Sequence, residues 1–187
     1  MQVVLTNASS LLRALRFAVV CSSAAVLIGF LGCCCPDSGP QTIATEDGLA
    51  EITVTNGMGK TSLMDNPEAS LQVANIFREL YALIISESKR EVPGINLDDY
   101  ARLLREQHRI DISSPNMSEV EEVQINGLAA RKWHTTGKMD DLKLFFIFGV
   151  VETDGHFNQV MTWTLEERRD KYEQVLDDIV HSFKLAQ

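Results

Sequence analysis

Cysteine is absent from every position after residue 35. The four cysteines of the chain are Cys21, Cys33, Cys34 and Cys35, all near its start. A domain built from the later residues therefore has no disulfide bond, no thiolate metal site and no cysteine nucleophile. We expect such a domain to be held together by its hydrophobic core alone.

Basic residues are also scarce. The chain of 187 residues has 17 lysines and arginines against 26 aspartates and glutamates, which gives a net charge of −9. Without Arg13 and Arg16, which belong to the leader described below, the balance is 15 against 26, or −11. Such a surface repels phosphate backbones and anionic lipid headgroups, so we expect no nucleic-acid partner.

Common catalytic motifs are missing as well. There is no H-E-x-x-H or G-x-S-x-G motif, and the histidines are scattered, with His108 assigned to the polar side of a predicted helix. Residues 56–61 (NGMGKT) end in Gly-Lys-Thr, but Val54 stands where a phosphate-binding loop needs its first glycine. We therefore predict a turn there, and neither catalytic nor cofactor-binding residues. A hydrolase with a dispersed site is the third-ranked interpretation.

The first 33 residues have the three zones of a secretory signal. Arg13 and Arg16 supply positive charge, and residues 17–31 (FAVVCSSAAVLIGFL) are apolar and uncharged. Leu31-Gly32-Cys33 resembles the bacterial lipobox, in which the cysteine becomes the first mature residue and carries acyl chains such as palmitate. Cys33 is thus the predicted lipidation site. The alternative is an uncleaved transmembrane anchor, because the 20 residues between Arg16 and Asp37 carry no charge and are just long enough to span a bilayer.

These features divide the chain into three parts. A signal peptide (1–33) is followed by a short linker containing proline and glycine (34–42) and by one folded domain (43–187). With either form of anchor the domain lies beside the cell membrane or the outer membrane, facing the periplasm or the cell exterior.

Two helices are predicted in the folded domain. The first begins with Asn96 as its N-cap, between Pro93-Gly94 and Pro115. The second begins with a capping box, Thr164-Leu-Glu-Glu167. Its apolar stripe has helical spacing and consists of Tyr172, Val175, Leu176, Ile179, Val180 and Phe183.

The other segments have the alternation and turn signals of strands. Asn126-Gly127 predicts a tight hairpin, and Asp154-Gly155 predicts another. Residues 142–151 (LKLFFIFGVV) are nearly all apolar, as expected of a central strand covered on both faces. Trp133 and Trp163 are assigned to the core rather than to a ligand cage. An antiparallel sheet with one helix inserted mid-chain and another at the end is an α+β fold.

One turn contains side chains that are able to bind a cation. Glu152, Asp154 and His156 alternate along the predicted hairpin, so an extended backbone would place all three on one side. The preferred interpretation is a solvated hairpin tip, and no metal is assigned. A cation-binding site at these three residues is the alternative.

Several short segments, and the order in which they occur, resemble the PsbP-like and Mog1-like domain family, in its bacterial lipoprotein branch. They are residues 52–57 (ITVTNG), 80–89 (LYALIISESK), 123–127 (VQING) and 157–163 (FNQVMTW), followed by a terminal helix. The sequence departs from the family pattern at Thr55, where proline is usual, and at Met58, where tryptophan is usual. The likeness covers roughly residues 44–185.

The resemblance implies an antiparallel sheet of about six or seven strands sandwiched between helices. It also implies docking rather than catalysis, with no catalytic residue and no cofactor to carry over. We therefore predict a membrane-tethered extracytoplasmic lipoprotein that is a binding or assembly module for another envelope protein. An envelope sensor for a cation or small ligand, bound at the 152–156 turn or between a helix and the sheet, is the second interpretation.

Overall fold

The computed structural model describes residues 39–64, 66–139 and 141–186. Within these ranges the chain forms two α-helices and eleven β-strands arranged in two sheets. The leader and Cys33 lie outside the described residues. No helix within these ranges is both long and apolar enough to span a bilayer.

The main sheet has eight strands. In chain order they are β3 (Gly59–Lys60), β4 (Ala69–Asn75), β5 (Leu80–Ser88), β6 (Ser113–Met117), β7 (Glu121–Ile125), β8 (Leu128–Met139), β9 (Leu142–Glu152) and β10 (His156–Leu165). Their spatial order is β3-β4-β5-β10-β9-β8, and both β6 and β7 pair with the outer edge of β8. Every neighbouring pair is antiparallel.

A second sheet of three strands lies apart from the main one. It consists of β1 (Gln41–Ala44), β2 (Ala50–Val54) and β11 (Lys184–Leu185), with β2 in the centre. Strand β1 begins at Gln41, inside the segment predicted as linker. The α+β class and antiparallel sheet are confirmed. The main sheet has more strands than the six or seven expected, partly because a two-residue strand such as β3 is too short to show alternation.

Helix α1 (Leu97–Asp111) lies across one face of the main sheet. The prediction of Asn96 as its N-cap is confirmed: the Asn96 side chain accepts a hydrogen bond of 2.9 Å from the backbone N of Asp99. Asp98 and Asp99 occupy its first turn, where carboxylates favourably oppose the helix dipole. Helix α1 ends at Asp111, and β6 follows almost at once.

Helix α2 (Arg169–His181) covers the other face, and it begins later in the chain than predicted. The predicted capping box at Thr164 is wrong, because Thr164 belongs to β10 and pairs with Phe145 of β9. A 3₁₀ turn at Glu166–Arg168 separates the strand from the helix, and Arg168 at the N-cap makes no side-chain cap bond. The predicted apolar stripe is confirmed, with Tyr172, Leu176, Ile179, Val180 and Phe183 buried and Val175 half-buried.

The core has two layers because the central strands are covered on both sides. The face under α1 is rich in aromatic rings and includes Tyr81, Tyr100, Trp133, Phe146, Phe148, Phe157 and Trp163. The core layer on the α2 side is mainly aliphatic and includes Leu71, Val73, Ile84, Ile147 and Val160 of the main sheet, Leu176 of α2, and Ile52 and Val54 of β2. The prediction that both tryptophans belong to the core is confirmed, since each is 1% exposed.

The predicted turns are present. Asn126 and Gly127 both have positive φ, 51° and 83°, and join β7 to β8. Asn56 and Gly57 also have positive φ, 57° and 67°, so the Gly-Lys-Thr segment follows a turn as expected. Both pairs use residue types that adopt the left-handed conformation at low cost.

Candidate functional site

The turn with Glu152, Asp154 and His156 does not gather these side chains around one point. The Glu152 carboxylate is paired with the Lys89 ammonium at 2.8 Å. The turn is closed by its own backbone, with Thr153 N donating to His156 O at 2.9 Å. Across residues 39–64, 66–139 and 141–186, no group of three or more His, Cys, Asp or Glu side chains is arranged to hold a metal ion.

A pocket of about 330 Å³ lies between the sheet and α2, the other place named for a small ligand. Its charged groups already bind one another: Lys132 Nζ is 2.8 Å from Asp177 Oδ1 and 3.9 Å from Glu121 Oε2. Arg169 forms two hydrogen bonds with Glu173, which lower the pKa of that carboxyl. A ligand here has to compete with ion pairs that the fold has formed.

His108 lies in the core, so its assignment to the polar side of α1 is wrong. Its ring is stacked on Phe148, with centroids 4.1 Å apart, and lies 6.0 Å from the ring of Trp133. The residue is 2% exposed, and burial lowers the pKa of its imidazole to about 3. The ring is therefore neutral at physiological pH and packs as an aromatic side chain.

A serine lies beside His134, but the contact is not that of a hydrolase pair. Ser118 Oγ accepts a hydrogen bond of 3.1 Å from the backbone N of His134, and donates to Glu119 O at 2.9 Å. A general base has to reach the hydroxyl with its ring nitrogen. This contact instead joins β8 to the segment between β6 and β7.

An open cleft lies at one end of the main sheet. It encloses about 570 Å³ and is lined by Asp141, Leu142, Lys143, Leu165, Glu166 and Glu167. We call this the acidic cleft. The pairing of Leu144 with Leu165 brings its two walls together, since it places the β8–β9 turn beside the connection from β10 to α2.

The acidic cleft has a half-buried apolar floor and a charged rim. Leu142 and Leu165 are partly buried, whereas Asp141 and Glu167 are exposed. Lys143 Nζ lies 3.9 Å from Glu166 Oε2, a loose pair whose side chains are 67% and 41% exposed. Three carboxylates against one lysine leave the rim negative.

This cleft was not predicted from the sequence. Its signal in the sequence is two acidic pairs, at residues 140–141 and 166–167, which flank two long apolar strands. Antiparallel pairing of those strands places the pairs at the same end of the sheet. The register that decides how close they come is not visible in the sequence.

Comparison of the sequence with protein-family models and with curated proteins finds no match. Solved structures do match. Cyanobacterial PsbP (CyanoP) from Synechocystis sp. PCC 6803 aligns with a TM-score of 0.59 at 14% identity, covering 86% of this chain and 98% of CyanoP. The Ran-binding protein Mog1p of Saccharomyces cerevisiae aligns with a TM-score of 0.55 at 11% identity, covering 80% of this chain and 96% of Mog1p.

A third similar structure is that of LpqN. LpqN, which is involved in cell envelope biogenesis of Mycobacterium tuberculosis, aligns with a TM-score of 0.54 at 11% identity, covering 79% of this chain and 91% of LpqN. At such low identities the likeness concerns the fold. Because all three alignments span most of both chains, the domain has the PsbP-like and Mog1-like fold that its sequence predicts.

Proposed function

We propose that this chain is a membrane-tethered extracytoplasmic binding module that docks on another envelope protein through the acidic cleft. The main support for this proposal is the cleft itself, which has a volume of about 570 Å³, an apolar floor and a negative rim. The partner that fits it presents a basic side chain on an otherwise apolar segment.

The surroundings of the cleft favour docking over catalysis. General acid–base chemistry and charge stabilisation work best in a site from which water is excluded. Here the rim side chains Lys143 and Glu166 are 67% and 41% exposed. Charges at such exposure contribute little affinity individually, but they steer a partner and discriminate between partners.

Two further features support the proposal. The tether follows from the leader, whose Leu31-Gly32-Cys33 ending supplies a lipidation site. The fold is shared with Ran-binding Mog1p and with LpqN, which acts in envelope biogenesis. Fold likeness is only an analogy, so the partner chemistry is drawn from the cleft itself.

Co-purification tests the proposal. The full chain is isolated from detergent-solubilised membranes after crosslinking in cells, as the native protein and as the Glu166→Lys/Glu167→Lys variant. We expect a partner that the native chain retains and the variant loses. The matched control is Glu121→Lys/Glu122→Lys, an adjacent exposed pair on β7 with the same change in charge.

The control should retain the partner. Loss of the partner from both variants would mean that only total charge matters, and retention by both would place docking elsewhere. A native chain that stays without partners under all growth conditions would contradict the binding function altogether.

A further inference from the structure

The most exposed large apolar side chain of the described residues is at the turn between β4 and β5. Phe77 is 89% exposed and its neighbour Ile76 is 37% exposed. Most aromatic side chains of this domain are deeply buried, so an uncovered ring stands out. We call Ile76 and Phe77 the apolar tip.

The backbone beneath the apolar tip is held by hydrogen bonds. Phe77 N donates to Asn75 Oδ1 at 3.1 Å, and Arg78 N donates to Asn75 O at 3.2 Å. Asn75 Nδ2 donates to Asn56 O at 2.7 Å, and Arg78 Nη1 donates to Asn56 Oδ1 at 2.8 Å. Because the turn is bonded both to itself and to the turn after β2, its backbone has little conformational entropy left to lose on binding.

The tip lies at the end of the domain where the tether arrives. The side chain of Gln41, the first residue of β1, donates to the backbone oxygen of Met58. The next residue, Gly59, pairs with Ala74, which directly precedes the turn that carries the tip. The other end of β1 points away, since Glu46 N bonds Ser70 O at the beginning of β4.

Chain length limits how far this end is from the bilayer. Gln41 is the eighth residue after Cys33, and an extended chain covers at most roughly 29 Å over eight residues. The tether therefore keeps the tip at high effective concentration near the membrane, so a weak contact is enough to be occupied.

We propose that the apolar tip inserts into the headgroup–acyl boundary of the bilayer that holds the anchor. This inference rests on the tethering in the proposed function. Aromatic side chains prefer that boundary, where the ring is removed from bulk water. A protein surface is the poorer fit, because one ring and one isoleucine are far smaller than the roughly 800 Å² that each partner buries in a stable protein interface.

Charge decides which lipid suits the tip. The chain without its leader arginines has a net charge of −11. The acidic cleft also lies at the same end of the main sheet as the apolar tip. The strand pairing shows this, because Tyr81, shortly after the tip, pairs with Trp163, shortly before Leu165 of the cleft. Anionic headgroups are repelled, so insertion is expected in zwitterionic lipid. The contact would then hold the cleft close to the membrane surface.

Lipid-borne quenching tests the inference. The full chain, purified from membranes with its own anchor, is reconstituted in phosphatidylcholine vesicles with or without brominated acyl chains. Phe77→Trp is compared with Leu49→Trp. The Leu49 side chain is 53% exposed and lies beyond the end of β1 that is far from the apolar tip. Native Trp133 and Trp163 are each 1% exposed and provide the background to subtract.

We expect the emission of Phe77→Trp to be blue-shifted and quenched at least twofold more strongly than that of Leu49→Trp. Replacing part of the phosphatidylcholine with anionic lipid should reduce the quenching. Equal quenching of the two variants would overturn the inference. So would crosslinking of position 77 to protein without quenching by bromolipid, which would make the tip a protein-docking element.

Failure of the tip and failure of the tether give different results. Native protein that floats with the vesicles while Phe77→Trp stays unquenched leaves the tether intact and removes the tip contact. Native protein that does not float with the vesicles contradicts the tethering itself.

Discussion

Val180 of α2 packs directly onto the backbone of Gly149 in β9. A Cβ atom added at Gly149 would lie 2.6 Å from Val180 Cγ1, closer than real Cβ atoms come to a neighbour. Glycine inside a strand usually weakens it, but here it lets a helix approach the sheet closely. The position of α2, and of the acidic cleft at its start, thus depends on the absence of a side chain at Gly149.

Replacing Gly149 with alanine should therefore destabilise the domain by about 1–3 kcal/mol, the usual cost of overpacking. Chemical denaturation followed by tryptophan fluorescence measures it. Gly59→Ala is the control, because a Cβ there meets nothing within 4 Å and should change stability less. Gly149→Ala should cost less stability in a Val180→Ala background than in the native chain, and an equal cost in the two backgrounds would mean that the clash is not with Val180.

The cap of α1 gives a second prediction. Asn96→Ala removes the side-chain oxygen that accepts from Asp99 N at 2.9 Å, and should cost about 1 kcal/mol of stability. Asn96→Ser is the matched control, because serine keeps a capping acceptor without placing a second carboxylate beside that of Asp99, whose Oδ2 lies 3.0 Å from Asn96 Nδ2. Equal losses in the two variants would show that the cap bond contributes nothing.

A third prediction is that replacing Thr164 will not lower the stability of the domain. Its side chain is buried, and its Oγ1 has no hydrogen-bond partner within the residues the structure describes. Thr164→Val replaces an unsatisfied hydroxyl by a methyl group of similar size, so the free energy of unfolding should stay equal or rise. A loss near 1 kcal/mol would instead show that the hydroxyl makes a stabilising hydrogen bond.

These two residues show how far the sequence could be interpreted. Asn96 was predicted correctly because Pro93-Gly94 isolates the helix from what precedes it, so only local chemistry decides. Thr164-Leu-Glu-Glu167 has equally good local chemistry, but pairing of Thr164 with Phe145 extends the strand through the motif. Tertiary pairing overrides local preference, and no window of sequence reveals it.

The same limit applies to the candidate sites. Antiparallel pairing of two apolar strands was predictable, but the register that forms the acidic cleft was not. His108 looked polar by residue type, although its ring completes a stack with Phe148. Phe77 gave no signal, because an isolated apolar residue next to a turn is as common in a core as on a surface.

His108 makes stability depend on pH. Its pKa is lowered from 6.5 to about 3 by burial, so the folded state keeps the ring neutral while the unfolded chain takes up a proton below pH 6.5. The unfolded state therefore binds more protons between pH 6.5 and 3, and stability contributed by this group is present above that range and is lost as pH falls through it.

Comparing denaturation midpoints at pH 7 and pH 5 checks this. His108→Phe should lose less stability between the two pH values than the native chain does, because the aromatic stack remains and the proton-binding group is gone. A native-like slope in His108→Phe would assign the pH dependence to other titratable groups.

Cys33 carries the last prediction, because the proposed placement of the domain depends on it. The part of the chain that the structure describes contains no cysteine, so Cys33→Ser should leave the fold unchanged. When cells are grown with labelled palmitate, the native chain should incorporate the label and Cys33→Ser should not. Cys34→Ser is the control that distinguishes the lipobox cysteine from its neighbour. Incorporation should persist in Cys34→Ser, since the Leu31-Gly32-Cys33 order is intact. An unlabelled native chain that stays in the membrane after an alkaline wash would instead make residues 17–31 a transmembrane anchor.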